Sequence, residues 1–189
     1  MKTSFSAAKL LSLVLLSALI AACSSTPKIE SDLGIKGAPD WVNEGTQVMN
    51  DKDGRLFHGV GSASPTGDMS LQKSVADDRA RAELARVLSS YMDVVSSDYM
   101  AAAKAGGTSV AEESVSRQIR NLSKVNLTGA KIIGSWRDPK TGIIFSMAEL
   151  DMKHVKSTLN GVQDMNSDLK HYIETQADNI FDRVAKEKK

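Results

Sequence analysis

One cysteine, four prolines and three histidines are all that 189 residues contain of those types, and aromatics make up only 5%. Each scarcity removes possibilities. A lone thiol permits no internal disulfide and no cysteine zinc cluster. His58, His154 and His171 each lack a second histidine or cysteine at a ligand spacing, so the sequence names no metal site. No Gly-x-Ser-x-Gly elbow and no phosphate-binding loop occur. Neither charge sign dominates, with 24 basic against 23 acidic residues. There is therefore no electrostatic case for nucleic acid or for an anionic lipid surface. The paired acids Asp77-Asp78 and Glu112-Glu113 fall on helical patterns, where adjacent side chains point apart. Nothing reads as a catalytic residue, a cofactor site or a small-molecule substrate site.

The chain also lacks a hydrophobic run long enough to cross a bilayer core. Its one apolar stretch, Leu10 to Ile20, follows Lys2 and Lys9 and ends in Ala21-Ala22-Cys23, with Ser24-Ser25-Thr26-Pro27 directly after. A charged start, a short apolar middle and small residues at the end read as a secretory signal, residues 1–22. Ile20-Ala21-Ala22-Cys23 resembles a bacterial lipobox. That resemblance implies cleavage before Cys23, a diacylglycerol on its thiol and an acyl chain on its new amine. One acyl chain anchors marginally and two hold stably, at about 0.8 kcal/mol per buried methylene, so three chains would tether the protein permanently. Ser24 is not the aspartate that retains such proteins in the inner membrane, which favours the outer membrane. The periplasmic face is the expected side, with surface exposure the alternative. Loss of residues 1–22 removes two lysines and no acid, turning the formal net charge of +1 into −1.

Residues 23–38 carry proline and glycine without a sustained period, and read as a lipidated flexible linker reaching roughly 20 Å. Pro39-Asp40-Trp41-Val42 opens a domain expected over 39–162. Asp51-Lys52-Asp53-Gly54 offers carboxylates two apart, but a strand pattern follows where a calcium loop needs a glutamate and a helix, so it reads as a turn. The strand Leu56–Gly61 contains Gly59-Val60-Gly61-Ser62, and a dinucleotide fingerprint needs a third glycine that is absent. The two glycines read instead as places where a helix backbone crosses a strand closely.

From Asp68 to Ala105 the apolar residues keep helical spacing: Val75, Ala76, Ala80, Leu84, Val87, Leu88, Tyr91, Val94, Val95, Tyr99 and Ala102. Asp68 is a cap. Asp77, Arg79, Arg81 and Glu83 read as a solvated, mutually paired face; an anion site of Arg79, Arg81 and Arg86 is the weaker reading. Ser109-Val110-Ala111-Glu112 has the capping-box pattern and starts a second helix. Strands are expected over 125–137 and 143–150, joined by the turn Asp138-Pro139-Lys140-Thr141-Gly142. Trp136 is a partner for Trp41 or for the long helix. A short helix over 151–159 follows. The last element, 163–189, reads as a C-terminal amphipathic helix appended to the domain, either lying across the sheet or pairing with a second copy.

Several segments carry a family resemblance: Pro39-Asp40-Trp41-Val42, Gly59-Val60-Gly61-Ser62-Ala63, the Ala/Arg-rich Ala76–Leu84, Gly134-Ser135-Trp136-Arg137-Asp138-Pro139 and Ile144–Leu150. Their order, with Cys23, resembles the Lpp-twenty family of outer-membrane lipoproteins, the twenty-kilodalton antigen type, which includes flagellar accessory lipoproteins of the FlgP kind. The resemblance covers roughly residues 39–155. It implies an α+β fold, a small antiparallel sheet packed on one long helix with a second helix beside it, and no catalytic residues. It also implies an envelope component working by self-association into a homo-oligomer or by binding other envelope proteins, a flagellar basal accessory being one form of that role. The alternative is a periplasmic binding module that recruits or activates a partner such as a cell-wall synthase.

Overall fold

A computed structural model of the chain describes residues 33–45, 54–162 and 164–187. Cys23, the signal segment and the turn acids Asp51 and Asp53 lie outside the described residues. The elements are α1 (Asp40–Asn43), β1 (Leu56–Ala63), α2 (Met69–Ala105), α3 (Glu112–Asn126), β2 (Lys131–Arg137), β3 (Ile144–Asp151), α4 (Met152–Ser157) and α5 (Ser167–Glu187). The fold is α+β, as the resemblance implies. Three antiparallel strands in the order β1-β3-β2 carry the long helix on one face.

Helix α2 starts where Asp68 accepts hydrogen bonds from the backbone N–H groups of Ser70 (2.8 Å) and Leu71 (3.0 Å). Its buried stripe runs Ala76, Ala80, Leu84, Leu88, Tyr91, Val95 and Tyr99, three to four residues apart. Leu84, Leu88, Met92 and Val95 are fully buried, each contributing roughly 1.5–3 kcal/mol of burial free energy. Four positions depart from the expected stripe, Met92 and Ser96 being buried beside it. Ala102 is exposed, and Gln72 is buried because its amide donates to Ala63 O (2.9 Å) and Gly142 O (2.8 Å), tying the end of β1 to the β2–β3 turn.

Gly59 and Gly61 set how the helix lies. A Cβ on Gly59 would stand 2.8 Å from Leu84 Cα, and one on Gly61 would stand 2.7 Å from Arg79 Cβ, with backbone atoms of α2 closer still. The glycines are there because α2 rests backbone on backbone over β1. In consequence α2 lies over β1 and β3 and hardly touches β2.

β3 is the central strand, and its residues alternate between two covered faces. Ile144, Ser146, Ala148 and Leu150 face α2, while Phe145 and Met147 face away yet are also buried. On that second face Trp41 of α1 packs over Gly134, its Cζ2 3.6 Å from where a Cβ would be. Trp136 packs on Phe145 at 5.8 Å between ring centroids. The two tryptophans thus serve one face, but the ring partner of Trp136 is its cross-strand neighbour Phe145.

Several sequence expectations need correction. The linker assigned to 23–38 ends inside the structured body. Leu33 N donates to Asn43 O (3.1 Å), Ile35 N donates to Asn43 Oδ1 (3.0 Å), and Asn43 Nδ2 returns a bond to Ile35 O (3.2 Å). The capping box at Ser109 is not formed. Helix α3 begins at Glu112 after Ala111, with no side-chain cap bond. Helical periodicity of Val115, Ile119 and Leu122 carries α3 on to Asn126, so the strand expected from 125 starts only at Lys131. β2 then has a bulge between Ile132 and Gly134, which leaves Ile133 outside the register and 43% exposed.

The largest correction concerns α5. Leu169, Ile173, Ala177, Ile180 and Phe181 are buried in the same core as Phe57, Tyr91 and Leu150. Phe57 and Phe181 meet edge to face at 5.1 Å, and Tyr91 Oη donates to Ala177 O (2.7 Å). The described residues belong to one compact unit. The helix read as an appendage is a wall of the domain, since its apolar face is spent on α2 and β1.

Candidate interaction surface

The charged and polar groups singled out from the sequence are mostly consumed by the fold. His58, 5% exposed, faces its cross-strand partner Glu149 and donates Nε2–H to Glu149 Oε2 at 3.1 Å. His154 packs its ring over Gly129, where a Cβ would stand 2.6 Å from Cε1, and its Nε2 is buried without a hydrogen-bond partner. His171 is exposed on α5. The structure keeps the three histidines on separate elements, and among the described residues no three His, Cys, Asp or Glu side chains gather to hold a metal. Nor is any described helix long and apolar enough to cross a membrane.

The arginines of α2 do not converge as an anion site. Arg79 donates to Ser62 O at the edge of β1 (2.6 Å), Arg81 pairs with Asp78 (3.5 Å), and Arg86 grips Glu83 through both ends of its fork. Arg86 is held above its ordinary pKa by that carboxylate. The paired acids Glu112 and Glu113 are both exposed in the first turn of α3.

Asp77 departs from the solvated face the sequence suggests. Its Oδ1 accepts from the Ser146 hydroxyl (2.6 Å) and its Oδ2 from Lys73 Nζ (2.7 Å). Ser146 is fully buried on β3 and stands 3.3 Å from Ser135 Oγ on β2. Burial pushes the Asp77 carboxyl up, but the two hydrogen bonds outweigh it and hold the group below the ordinary carboxylate range.

This network floors an open groove of about 610 Å³ between the first turns of α2 and the end of β2. Met69 and Lys73 form one wall, Ser135 and Arg137 the other, with Ile144 between them. Its origin is the glycine-guided placement of α2 over β1, which leaves the α2-facing side of β2 uncovered. Met69, Ser135 and Arg137 are all exposed there. Beside it runs the outer edge of β2, which takes no backbone hydrogen bond from any described residue. Sequence reasoning missed this surface. The only signal was negative: Met69 and Leu71 are apolar residues off the stripe of α2.

A scan of protein-family models finds none that matches this chain, and a search of curated proteins finds no match either.

Proposed function

We propose that this chain is an outer-membrane-anchored lipoprotein with a non-catalytic, structural or assembly role in the bacterial envelope. The observation that carries the reading is the position of the sole cysteine, Cys23, directly after Ile20-Ala21-Ala22 at the end of a short apolar run. A protein fixed in this way works by where it is held and what it touches. The ordered motifs that resemble the Lpp-twenty family point the same way.

The test is metabolic labelling with palmitate in a bacterial host. Wild-type protein takes up label and partitions into detergent, while Cys23→Ser loses the label and appears in the soluble fraction. An unlabelled wild-type product, or a Cys23 thiol open to maleimide, sinks the reading.

Between self-association and a partner-binding module, the body of the domain favours the second. Self-association drew its support from an amphipathic helix with a free apolar face, and α5 spends that face inside its own core. The open edge of β2 and the adjoining groove offer a surface for another protein. Light scattering on the intact chain separates the two: a monomer supports the module, a closed oligomer the assembly.

A further inference from the structure

Half of the backbone N–H and C=O groups of an edge strand point away from its one neighbour and can pair with another chain. β1 and β2 are the two edges of this sheet. On β1 the Ser62 carbonyl is taken by Arg79, and α2 lies directly over the strand. On β2 no described residue forms a backbone hydrogen bond to the outer edge, and the groove beside Ser135 and Arg137 leaves room for the side chains of an added strand. From this geometry we infer that β2 takes up an extended segment of a partner protein, with acidic residues at its ends and apolar residues between them, as a fourth strand.

Charge selects the occupant. The ends of β2 are Lys131 and Arg137, both exposed, and neither forms an ion pair among the described residues. The strand holds no acid, and the one carboxylate in the groove, Asp77, already has both oxygens engaged by Lys73 and Ser146. A second copy is the wrong partner. β2 itself, Lys131 to Arg137, contains no acid, so a second copy of the strand offers neither cation a partner, and its own bulge at Ile133 interrupts pairing of the strand with itself. An incoming strand with Asp or Glu at its ends meets a cation at each: Arg137 on the α2 side of the sheet, and Lys131, whose cross-strand neighbour is Glu149, on the other. Its inward side chains have Met69 and Ile144 to pack on, while the exposed Ile133 on the bulge offers a further apolar contact at mid-strand. Main-chain bonds then supply affinity and the charged ends supply direction and selectivity.

The inference rests on the reading above only in taking contact with another protein as the work of the domain. Its test makes no use of the lipid, so failure here leaves the palmitate result standing.

Random heptapeptides displayed on phage are selected against the full chain in detergent, and the best binder is synthesised. The expected outcome is enrichment of peptides with Asp or Glu near both ends. N-methylation of alternate peptide amides should abolish binding in one of the two alternations and spare the other, since only one set faces β2. Arg137→Glu should weaken the acidic peptide tenfold or more, and a peptide with lysine at the facing end should recover most of the loss. That recovery shows the variant is folded. No enrichment, enrichment without acidic ends, equal binding of both N-methylated forms, or indifference to Arg137→Glu overturns the inference. Enrichment of the chain's own 131–137 sequence overturns it in favour of a second copy.

Discussion

Gly59 lies beneath Leu84 with no space for a side chain between them, since a Cβ on Gly59 would stand 2.8 Å from Leu84 Cα and closer to the backbone around it. The atoms in the way are main chain, which no rotamer change can move. Gly59→Ala, and likewise Gly61→Ala, must push α2 off β1, at about 3 kcal/mol or more given that ordinary overpacking costs 1–3. Gly161→Ala meets nothing within 4 Å and has no positive φ, so it should stay within about 0.5 kcal/mol of wild type. Urea midpoints for the three variants check this. An unchanged midpoint for Gly59→Ala would mean that α2 does not rest on β1 as described.

A chain ending at residue 163 should lose cooperative unfolding altogether. It would strip the core of Leu169, Ile173 and Phe181 and expose Phe57 and Tyr91. Near-UV circular dichroism and dye binding would report the loss. Phe181→Ala is the milder form, expected to cost about 3–5 kcal/mol. A truncated chain with a sharp thermal transition would restore α5 to the status of an appendage.

The bidentate pair between Arg55 and Asp182, 2.8 Å on each arm, joins the entry of β1 to α5. The hydrogen bond from Arg55 holds the Asp182 carboxyl below its ordinary value despite some desolvation. Its folded pKa is therefore lower than its unfolded one. The stability it contributes is fully present above the unfolded value, near 4, and fades as pH falls through the folded value. Both side chains are more than a third exposed, so the pair is worth only about 0.5–1 kcal/mol. Asp182→Asn should be less stable than wild type by that amount at pH 7, and the gap should close in acid once Asp182 is protonated. Urea titrations across pH 2–7 measure it, and a gap of constant size would refute the assignment.

Ser146→Ala removes the hydroxyl that donates to Asp77 Oδ1 while leaving Lys73 on Oδ2. A buried hydrogen bond to a charged acceptor is worth about 1.5–3 kcal/mol, so a loss of about 2 kcal/mol is expected. Asp77→Asn combined with Ser146→Ala should lose less than the sum of the single changes. Strict additivity in this cycle would show that the two groups do not interact.

The parts of the fold that could be read from the sequence are those where one physical rule acts alone. Asp68 caps α2 because nothing else competes for Ser70 N and Leu71 N, and the Gly59/Gly61 pair could be assigned because a third glycine is missing. Elsewhere two rules conflict. Ser109 followed by Glu112 has the spacing of a cap, yet the helix starts at Glu112, one turn ahead of Val115, the first residue of its buried stripe. Val125 and Asn126 look like the start of a strand, but Asn126 is fully buried at the end of α3 and accepts from Thr158. The interaction surface could not be read at all. A groove is the space left by where α2 lies, and Met69, Arg137 and Asp77 are brought to it from segments about sixty residues apart in the chain. Asp77 looks like a surface acid because its partner Ser146 is 69 residues away.

β1 is made first among the strands, but its only strand neighbour is β3, and His58 meets Glu149 across 91 residues of chain. At a synthesis rate of 5–20 residues per second, β1 waits roughly 5–20 s for that neighbour to exist. Arg55 must wait longer still, 127 residues, for Asp182. Such distant closure makes for a slow search. The β2–β3 hairpin can close across its short turn, but β1 and the core beneath it find their partners only after nearly all of the domain has been made.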